Sequence, residues 1–574
     1  MIIDRWAADR PEGQLKINHK KLNTIRLTNY TQMKSNNHLA VITAILALLT
    51  AIIALLPSCS GSDKNETNAE PDWNNEIIYH VMQRSFFDSS GDGHGDLNGF
   101  VEKLDYLEEL GVTAILFLPL YESDFYHNYF PIDYETIDPR FGTMEEYLAF
   151  VNAVHDRGMK FIMDMETQYV QNGNHWFEDS YKNPSSPYTD FIYYSDDENR
   201  YPEQFLRPSG EELYAYRAWP DQELYIFHLD MNHQKVKDYM KDYYAFWVDP
   251  KGDGSLEGGV DGFRIDHIMD DLDYKGLFTN LYIDFWKPVF DHAKEINPNL
   301  FIVGEQSNWA SYGDVMMNKS GADASFGFLI RYAIADVMMA DASGGDSPDA
   351  GNIGRFIHET LDHLPEGKNY IHFIENHDIV RWASEMDERP EKIRCGALLN
   401  LLLPGIPAIY YGQELGVTGT VHDWSYDVNH IPVREAFPWT PDPDDAGIAA
   451  FYKDSGPWWD VSYFNTGGAE QFALSVQQND PNSLWHLYRE LIAFRKENKA
   501  LTHGDFQMIR PGDDNLFAFT RSKGAQKVSV FMNLSENTML VENEAPGEIR
   551  FIENAVVGED GLQLEAFGFV VYAN

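Results

Sequence analysis

Short apolar runs alternate with amphipathic stretches along the chain from Ile77 onward. Runs of this length predict buried strands, and apolar residues spaced three or four positions apart predict helices packed on a sheet. The predicted strands are residues 77–83, 114–118, 160–165, 262–266, 300–305, 370–374 and 408–410. Predicted helices between or after them include residues 100–110, 144–157, 234–247 and 481–497.

Repeated strand–helix units over most of the chain predict a parallel sheet, most simply a closed (β/α)8 barrel formed by residues 73–166 and 233–500. A doubly wound sheet has the same alternation, so periodicity leaves both open. Residues 167–232 are rich in Tyr, Pro, Asn and Asp and lack helical periodicity, which predicts a subdomain inserted after the third strand. Strand-like runs separated by turn residues in 501–574 predict a C-terminal antiparallel β-sandwich.

The N-terminal segment has the pattern of a secretion signal. Lys34 precedes a long apolar run, and the sequence Leu-Pro-Ser-Cys then ends at Cys59. This arrangement resembles a bacterial lipoprotein signal, so we expect residues 1–59 to be leader and signal, Cys59 to be lipidated, and 60–72 to be a polar tether. The resemblance implies a secreted protein anchored to the bacterial cell envelope. A transmembrane anchor is the alternative, because the run is just long enough to span a bilayer.

Charge and composition restrict the partners. The 574 residues carry a formal net charge of −46, which disfavours binding to phosphate backbones and to anionic membrane surfaces. Hydrophobic residues make up 44% of the chain, which excludes a disordered protein. The chain has 2 cysteines, Cys59 and Cys395, so a disulfide framework is excluded as its source of stability. This composition suits a soluble extracellular enzyme that acts on a neutral substrate.

Acidic residues recur at or just after the ends of predicted strands: Asp164, Asp266, Glu305 and Asp378. In a barrel these ends converge on one face, where active sites are built. A single acid in such a place is more often a helix cap or a surface charge, but four in this arrangement indicate chemistry. Cleavage of a glycosidic bond requires two carboxyl groups, which lie about 5–5.5 Å apart in retaining enzymes.

The residues next to each acid indicate a different role for each of them. Arg264 lies two positions before Asp266 on the same side of a strand, which favours an ionised, nucleophilic carboxylate. Glu305 ends an apolar strand, where partial desolvation raises a carboxyl pKa and suits a general acid. Asp378 follows His377, and the pair could hold sugar hydroxyls.

Together these motifs resemble the α-amylase family, glycoside hydrolase family 13, over nearly all of the chain from Trp73 onward. The resemblance assigns Asp266 as nucleophile, Glu305 as acid/base and Asp378 as transition-state stabiliser. It places Arg264 on the nucleophile and His377 on the sugar. His127 and Tyr129, in the sequence His-Asn-Tyr-Phe-Pro, match the family's substrate-stacking pair.

The segment from Asp164 to Tyr169 departs from the family pattern. The family has Asp-x-x-x-Asn-His at the end of the third strand, whereas this chain has Asp-Met-Glu-Thr-Gln-Tyr. We expect Asp164 and Tyr169 to take part in substrate binding, because a tyrosine can still donate a hydrogen bond. The residues after Asp266, beginning with His267, also differ from those of ordinary α-amylases, so linkage preference cannot be transferred.

A candidate calcium loop spans residues 88–96. Its oxygen ligands recur at alternate positions, and a glycine follows the central aspartate to permit a tight turn. The predicted ligands are the side chains of Asp88, Ser90, Asp92 and Asp96 and the carbonyl of His94. The same loop binds calcium in α-glucosidases of the family, which implies a structural ion here. The alternative is an Asp/Gly-rich turn without metal.

The sequence therefore predicts a retaining hydrolase of α-1,4-glucosidic bonds in starch-like glucans or malto-oligosaccharides. An exo-acting α-glucosidase or oligo-1,6-glucosidase, or a transglycosylase on the same site, is the alternative within this class. The competing class is a glycan-binding relative that has lost catalysis. Retention of Asp266, Glu305 and Asp378 argues against it.

Overall fold

The computed structural model describes residues 72–574 apart from 208–209, 211, 341–348, 425–426, 510–513, 543–546 and 559–560. The predicted signal, nearly all of the tether and the predicted lipidation site Cys59 lie outside the described residues. Within the described ranges, no helix combines the length and the apolar character needed to cross a membrane.

Eight parallel strands form a closed barrel, in which the last strand pairs with the first. This confirms the (β/α)8 prediction and rules out the doubly wound alternative. The strands are β1 (Ile78–Val81), β2 (Ala114–Phe117), β3 (Lys160–Met165), β4 (Gly262–Ile268), β5 (Phe301–Gln306), β6 (Ala324–Phe326), β7 (Asn369–His372) and β8 (Ile406–Tyr410). Seven of them overlap the seven predicted runs, and β6 was not predicted.

Helices follow the strands around the barrel. They are α1 (Leu97–Glu102), α2 (Leu104–Leu110), α3 (Met144–Asp156), α4 (Gln234–Val248), α5 (Lys287–Ile296), α6 (Asp314–Ser320), α7 (Phe328–Met339), α8 (Ala350–His363), α9 (Pro390–Leu402) and α10 (Leu484–Glu497). The start of α3 is fixed by a capping box, in which Thr143 and Glu146 satisfy each other's backbone N–H groups. The predicted helix 100–110 is divided between α1 and α2, because Lys103 leaves the helical conformation.

Apolar side chains fill the interior of the barrel, among them Ile78, Leu116, Ile162 and Val303. At the N-terminal end, Trp73 stacks on the Phe301 ring with centroids 4.2 Å apart.

The connection from β3 to α4 contains short antiparallel pairs. Tyr169–Gln171 pairs with Ile226–His228, and Tyr216–Ala218 pairs with Gln222–Leu224. A short helix, His175–Ser180, lies between them in the sequence. These elements stand beside the mouth of the barrel, because the first pair begins directly after β3.

The C-terminal strands form one antiparallel, hydrogen-bonded sheet, which confirms the predicted antiparallel arrangement. They are β9 (Asp505–Ile509), β10 (Leu516–Lys523), β11 (Gln526–Asn533), β12 (Met539–Val541), β13 (Glu548–Gly558) and β14 (Gly561–Ala573). β14 is central, since it pairs with β11, β12 and β13. Apolar side chains from β10, β11, β12 and β14 form a separate core cluster on this sheet.

Candidate active site

Arg264 lies at the centre of the C-terminal mouth of the barrel. It stands opposite Asp164 in the β3–β4 register and two residues before Asp266. Its Nη1 donates to Oδ1 and Oδ2 of Asp164 at 2.9 Å each and to Oδ1 of Asp266 at 2.6 Å. Its Nη2 donates to Oε2 of Glu305 at 2.6 Å. One buried guanidinium therefore joins carboxyl groups from three neighbouring strands.

The environment drives the pKa values of Asp266 and Glu305 in opposite directions. Burial raises the pKa of Glu305 to about 8, and the nearby Asp266 adds to the rise. Burial would also raise the pKa of Asp266, but the charges of His267 and Arg264 outweigh it and hold that pKa below its usual range. At neutral pH the site thus presents one carboxylate and one carboxylic acid, the pair required for acid-assisted displacement.

Asp378 faces this pair from the loop after β7. Arg434 donates from Nη2 to its Oδ1 at 2.9 Å, and His377 Nε2 lies 3.1 Å from its Oδ2. Burial alone would raise the pKa of Asp378, but His377 and Arg434 hold it well below the ordinary value. Sequence reasoning missed Arg434, which lies 56 residues further along the chain. The available signal was an adjacent Arg–Glu pair within the otherwise apolar stretch from Ile431 to Phe437.

His127 and Tyr129 line the same mouth. Tyr129 donates to Oδ2 of Asp164 at 2.7 Å, its hydroxyl lies 2.9 Å from His377 Nε2, and its ring stacks on His377. His127 accepts from the Tyr129 backbone N–H at 3.1 Å. Both side chains are buried, and burial holds the pKa of His127 well below its ordinary value, so it is a neutral imidazole at neutral pH.

Tyr169 does not reach the open face of the site. It is fully buried, and its hydroxyl donates to Oδ1 of Asp273 at 2.8 Å. The same hydroxyl lies 3.2 Å from Nε2 of His267, whose ring stacks on the tyrosine ring. Tyr169 therefore contacts His267 in place of the expected direct contact with substrate. The sequence analysis noted His267 only as a departure from the family pattern.

Glu166, Asp266 and His267 place one ligand-type atom each within 4.8 Å of one another, the one such group found among the described residues. His267 Nδ1 lies 2.6 Å from Oδ2 of Asp266, which is a direct hydrogen bond. Glu166 is fully buried, and burial raises its pKa to about 8. We therefore interpret Asp266 and His267 as a hydrogen-bonded pair, whereas Glu166 accepts from the backbone N–H of Gln168.

The loop 88–96 lies between β1 and α1. Gly91 and Gly93 adopt φ angles of 83° and 90°, which produce its tight turns. Its carboxylates accept hydrogen bonds from backbone N–H groups. Asp88 accepts from Gly91 and Gly93, and Asp92 accepts from His94. Asp96 accepts from Ser89 and Ser90, and it caps α1 by accepting from Gly99. The loop offers three carboxylates, a hydroxyl and a backbone carbonyl, an all-oxygen donor set of the kind that calcium prefers.

Comparisons with known proteins agree with this geometry. The family model "Alpha amylase, catalytic domain" matches residues 80–504. "Alpha-amylase 3" of Dictyoglomus thermophilum is 31% identical over 516 residues, covering 88% of this chain and 94% of its own length. "Probable oligo-1,6-glucosidase 3" of Bacillus subtilis is 26% identical over 525 residues, covering 81% and 91%.

Solved structures show the same fold. The α-amylase from H. orenii is 25% identical, with a TM-score of 0.67 and coverage of 87% of this chain and 99% of that one. Amy13B of Eubacterium rectale is 24% identical, with a TM-score of 0.70 and coverage of 87% and 96%. The barrel, the paired carboxyls and these relatives together show that the chain belongs to the α-amylase family of glycoside hydrolases.

Proposed function

We propose that the enzyme hydrolyses α-1,4-glucosidic bonds in starch-like glucans or malto-oligosaccharides with retention of anomeric configuration. The observation that carries this is the bridge from Arg264 to Asp266 and Glu305, each at 2.6 Å. Contact with the same guanidinium holds the two carboxyls within a few ångströms. Such proximity suits direct attack on the sugar, as in retaining enzymes, whose two carboxyls lie about 5–5.5 Å apart.

The proposed reaction has two halves. Asp266 attacks the anomeric carbon while Glu305 gives its proton to the departing glycosidic oxygen, which leaves a glycosyl ester on Asp266. Glu305, now a carboxylate, then takes a proton from water as that water attacks the same carbon, and the ester bond breaks. In both halves Asp378, which Arg434 orients, would bind sugar hydroxyls and stabilise the positive charge that develops on the sugar ring.

The remaining mouth residues would bind the sugar at the cleavage point. His377 and Tyr129 form one stacked pair, and His127 lies beside them with ring centroids 5.4 Å from Tyr129. Asp164 is enclosed by Arg264 and Tyr129 and is fully buried, so its part would be to orient those two side chains. Tyr169 would act through His267.

The substrate class follows from the relatives. The 31%-identical relative is named an α-amylase, which favours α-1,4 linkages. Others at 25–26% identity are named oligo-1,6-glucosidases, and one at 26% is named trehalose synthase/amylase. Exo-acting cleavage of α-1,6 bonds, or transfer of the glycosyl group to a second sugar, is therefore the alternative. Both would use the same covalent intermediate.

Product analysis tests the proposal. The protein from Ser60 onward is incubated with starch, pullulan, maltotriose and isomaltose, and Asp266→Asn is the matched inactive control. We expect malto-oligosaccharides from starch and no cleavage of isomaltose, with α-anomers appearing first by proton NMR. Isomaltose cleavage without starch cleavage would favour the alternative, and β-anomeric first products would contradict the retaining mechanism.

We also propose a structural calcium ion in the loop 88–96. Asp88, Ser90, Asp92, Asp96 and the His94 carbonyl would hold it, and it would stiffen the turn that leads from β1 into α1. The all-oxygen donor set and the positive-φ glycines support this assignment. No step of the reaction passes through the ion.

Lipid attachment at Cys59 remains a proposal supported by the sequence pattern alone. Metabolic labelling with a fatty acid in a bacterial host tests it, because the chain has 2 cysteines and Cys395 is buried in α9. Label should be lost in Cys59→Ser and kept in the matched Cys395→Ser variant. Label that persists in Cys59→Ser would refute the anchor.

A further inference from the structure

His267 enters the active site because β4 contains a bulge. Ile265 pairs with Gly304 of β5, yet Ile268 pairs with Gln306, so β4 holds one extra residue between these points. In a regular strand, successive side chains point to opposite faces. A bulge can turn neighbouring side chains toward the same site. Here it lets Asp266 and His267 meet, with Nδ1 2.6 Å from Oδ2.

Both oxygens of the proposed nucleophile consequently receive a cationic donor. Arg264 donates to Oδ1 and His267 to Oδ2, each at 2.6 Å. A carboxylate has about four lone-pair sites, so about two remain, and one of them can attack a sugar. The backbone N–H of His267 also donates to Oε2 of Glu305 at 3.2 Å, so this one residue contacts both carboxyls.

A buried chain of hydrogen bonds fixes the His267 ring from behind. Tyr169 donates its proton to Asp273, so its oxygen can accept the Nε2–H of His267 at 3.2 Å. Asp273 is itself held by His228 Nε2 at 3.0 Å and by the Leu206 N–H at 3.1 Å. Both ring nitrogens of His267 therefore act as donors, as in an imidazolium.

The acidic groups around the ring agree with this state. Asp266, Glu166 and Asp273 all face it. The Gln168 amide nitrogen, 3.4 Å from its Nε2, donates to Glu166 and needs no acceptor on the ring. Burial would lower the pKa of His267, but these carboxyls raise it to about 10. The ring is thus a fixed positive charge at neutral pH.

We propose that His267 is a positioning residue that orients the carboxylate of Asp266 and makes it a better leaving group in the second half of the reaction. This rests on the proposed retaining mechanism. When Asp266 forms the ester, its negative charge disappears and the attraction to His267 is lost. When water displaces the ester, the electron pair returns to Asp266 and the attraction is restored, while the protons of His267 stay in place. His267 therefore favours ester breakdown over ester formation.

Burst kinetics with 4-nitrophenyl α-maltotrioside test the proposal. In His267→Ala, breakdown should become rate-limiting, because its leaving group has lost a charged donor. We expect a burst of about one nitrophenol per enzyme. The steady-state kcat should fall about 10- to 100-fold and KM should fall with it, which leaves kcat/KM within about threefold of wild type.

Two variants separate positioning from general loss of structure. His267→Asn keeps an N–H donor near the place of Nδ1, so it should recover much of kcat and show a smaller burst. Tyr169→Phe removes the hydroxyl that joins the His267 ring to Asp273 and should give a weaker form of the alanine pattern. Equal loss of kcat and kcat/KM in His267→Ala without a burst would overturn the proposal, as would identical behaviour of His267→Asn and His267→Ala.

A measurement without substrate distinguishes this inference from the proposed function. Nitrogen-15 NMR of the resting enzyme should find His267 doubly protonated up to about pH 9, and Asp266→Asn should lower that limit. A neutral ring at pH 7 would overturn the inference whatever the activity. Inactivity of the wild type toward every α-glucan and aryl glycoside would instead defeat the proposed function.

Discussion

Arg264 donates from Nη2 to Oε2 of Glu305 over 2.6 Å, yet the pKa of that carboxyl is raised to about 8. A cation this close would ordinarily lower a carboxyl pKa. Here burial prevails, since the Glu305 side chain is 4% exposed and Arg264 also serves the carboxylates Asp164 and Asp266. A single guanidinium cannot neutralise three carboxyls, so Glu305, the more buried of the two reacting carboxyls, retains its proton.

Loss of either reacting carboxyl should abolish turnover. Asp266→Asn and Glu305→Gln are near-isosteric, so both variants should fold while kcat on maltotetraose falls by more than about a hundredfold. Glu295→Gln is the matched control, because its side chain on α5 is 76% exposed. Retention of more than about a hundredth of the wild-type rate by either active-site variant, with normal circular dichroism, would refute its role.

Activity should decline in mild alkali. The first half of the reaction requires the protonated form of Glu305, whose pKa is about 8, so kcat/KM should fall about tenfold per pH unit once the pH exceeds that value. The pKa of Asp266 is lowered, so its ionisation sets no limit near neutral pH. A kcat/KM profile that stays flat to pH 10 would contradict the assignment of Glu305 as the acid.

The same carboxyl should reduce folding stability as the pH rises. Its pKa is raised from 4.5 in the unfolded chain to about 8 in the fold, so the folded state binds the extra proton between these values and stability falls across that window. Glu305→Gln requires no proton and should be more stable than wild type by up to about 3 kcal/mol at pH 7. Melting temperatures at pH 5 and pH 7.5 check this. A difference that does not grow with pH would contradict the shift.

Removal of calcium should lower thermal stability without changing the chemistry. An ion that binds only the folded state stabilises it by mass action, so a chelator should lower the melting temperature. Asp92→Ala should cause a similar loss without chelator, whereas the exposed Asp197→Ala should not. If neither chelator nor Asp92→Ala moves the melting temperature, the loop is a turn without metal. Turnover at low temperature should persist in every case.

The sequence predicted the barrel because most of its strands are continuous apolar runs. It did not predict β6, because that strand is only Ala324–Phe326 and has Ser325 at its centre. The four acids at strand ends could be located because strand order alone places them on one face. The contact of Arg434 with Asp378 and the chain of hydrogen bonds from Tyr169 to His228 could not be predicted, since those contacts join distant segments. The bulge that turns His267 inward depends on the pairing of β4 with β5, and no residue pattern encodes that register.

Trapping the covalent intermediate tests the central claim most directly. Glu305→Gln is incubated with α-glucosyl fluoride or its maltosyl analogue, whose fluoride leaves without help from an acid. The second half then stalls for lack of the base, so the ester should accumulate. Mass spectrometry of peptides should find one glycosyl unit on Asp266 and none in the double variant with Asp266→Asn. A sugar attached to another residue, or fluoride release with no adduct at any time, would contradict a retaining mechanism through Asp266.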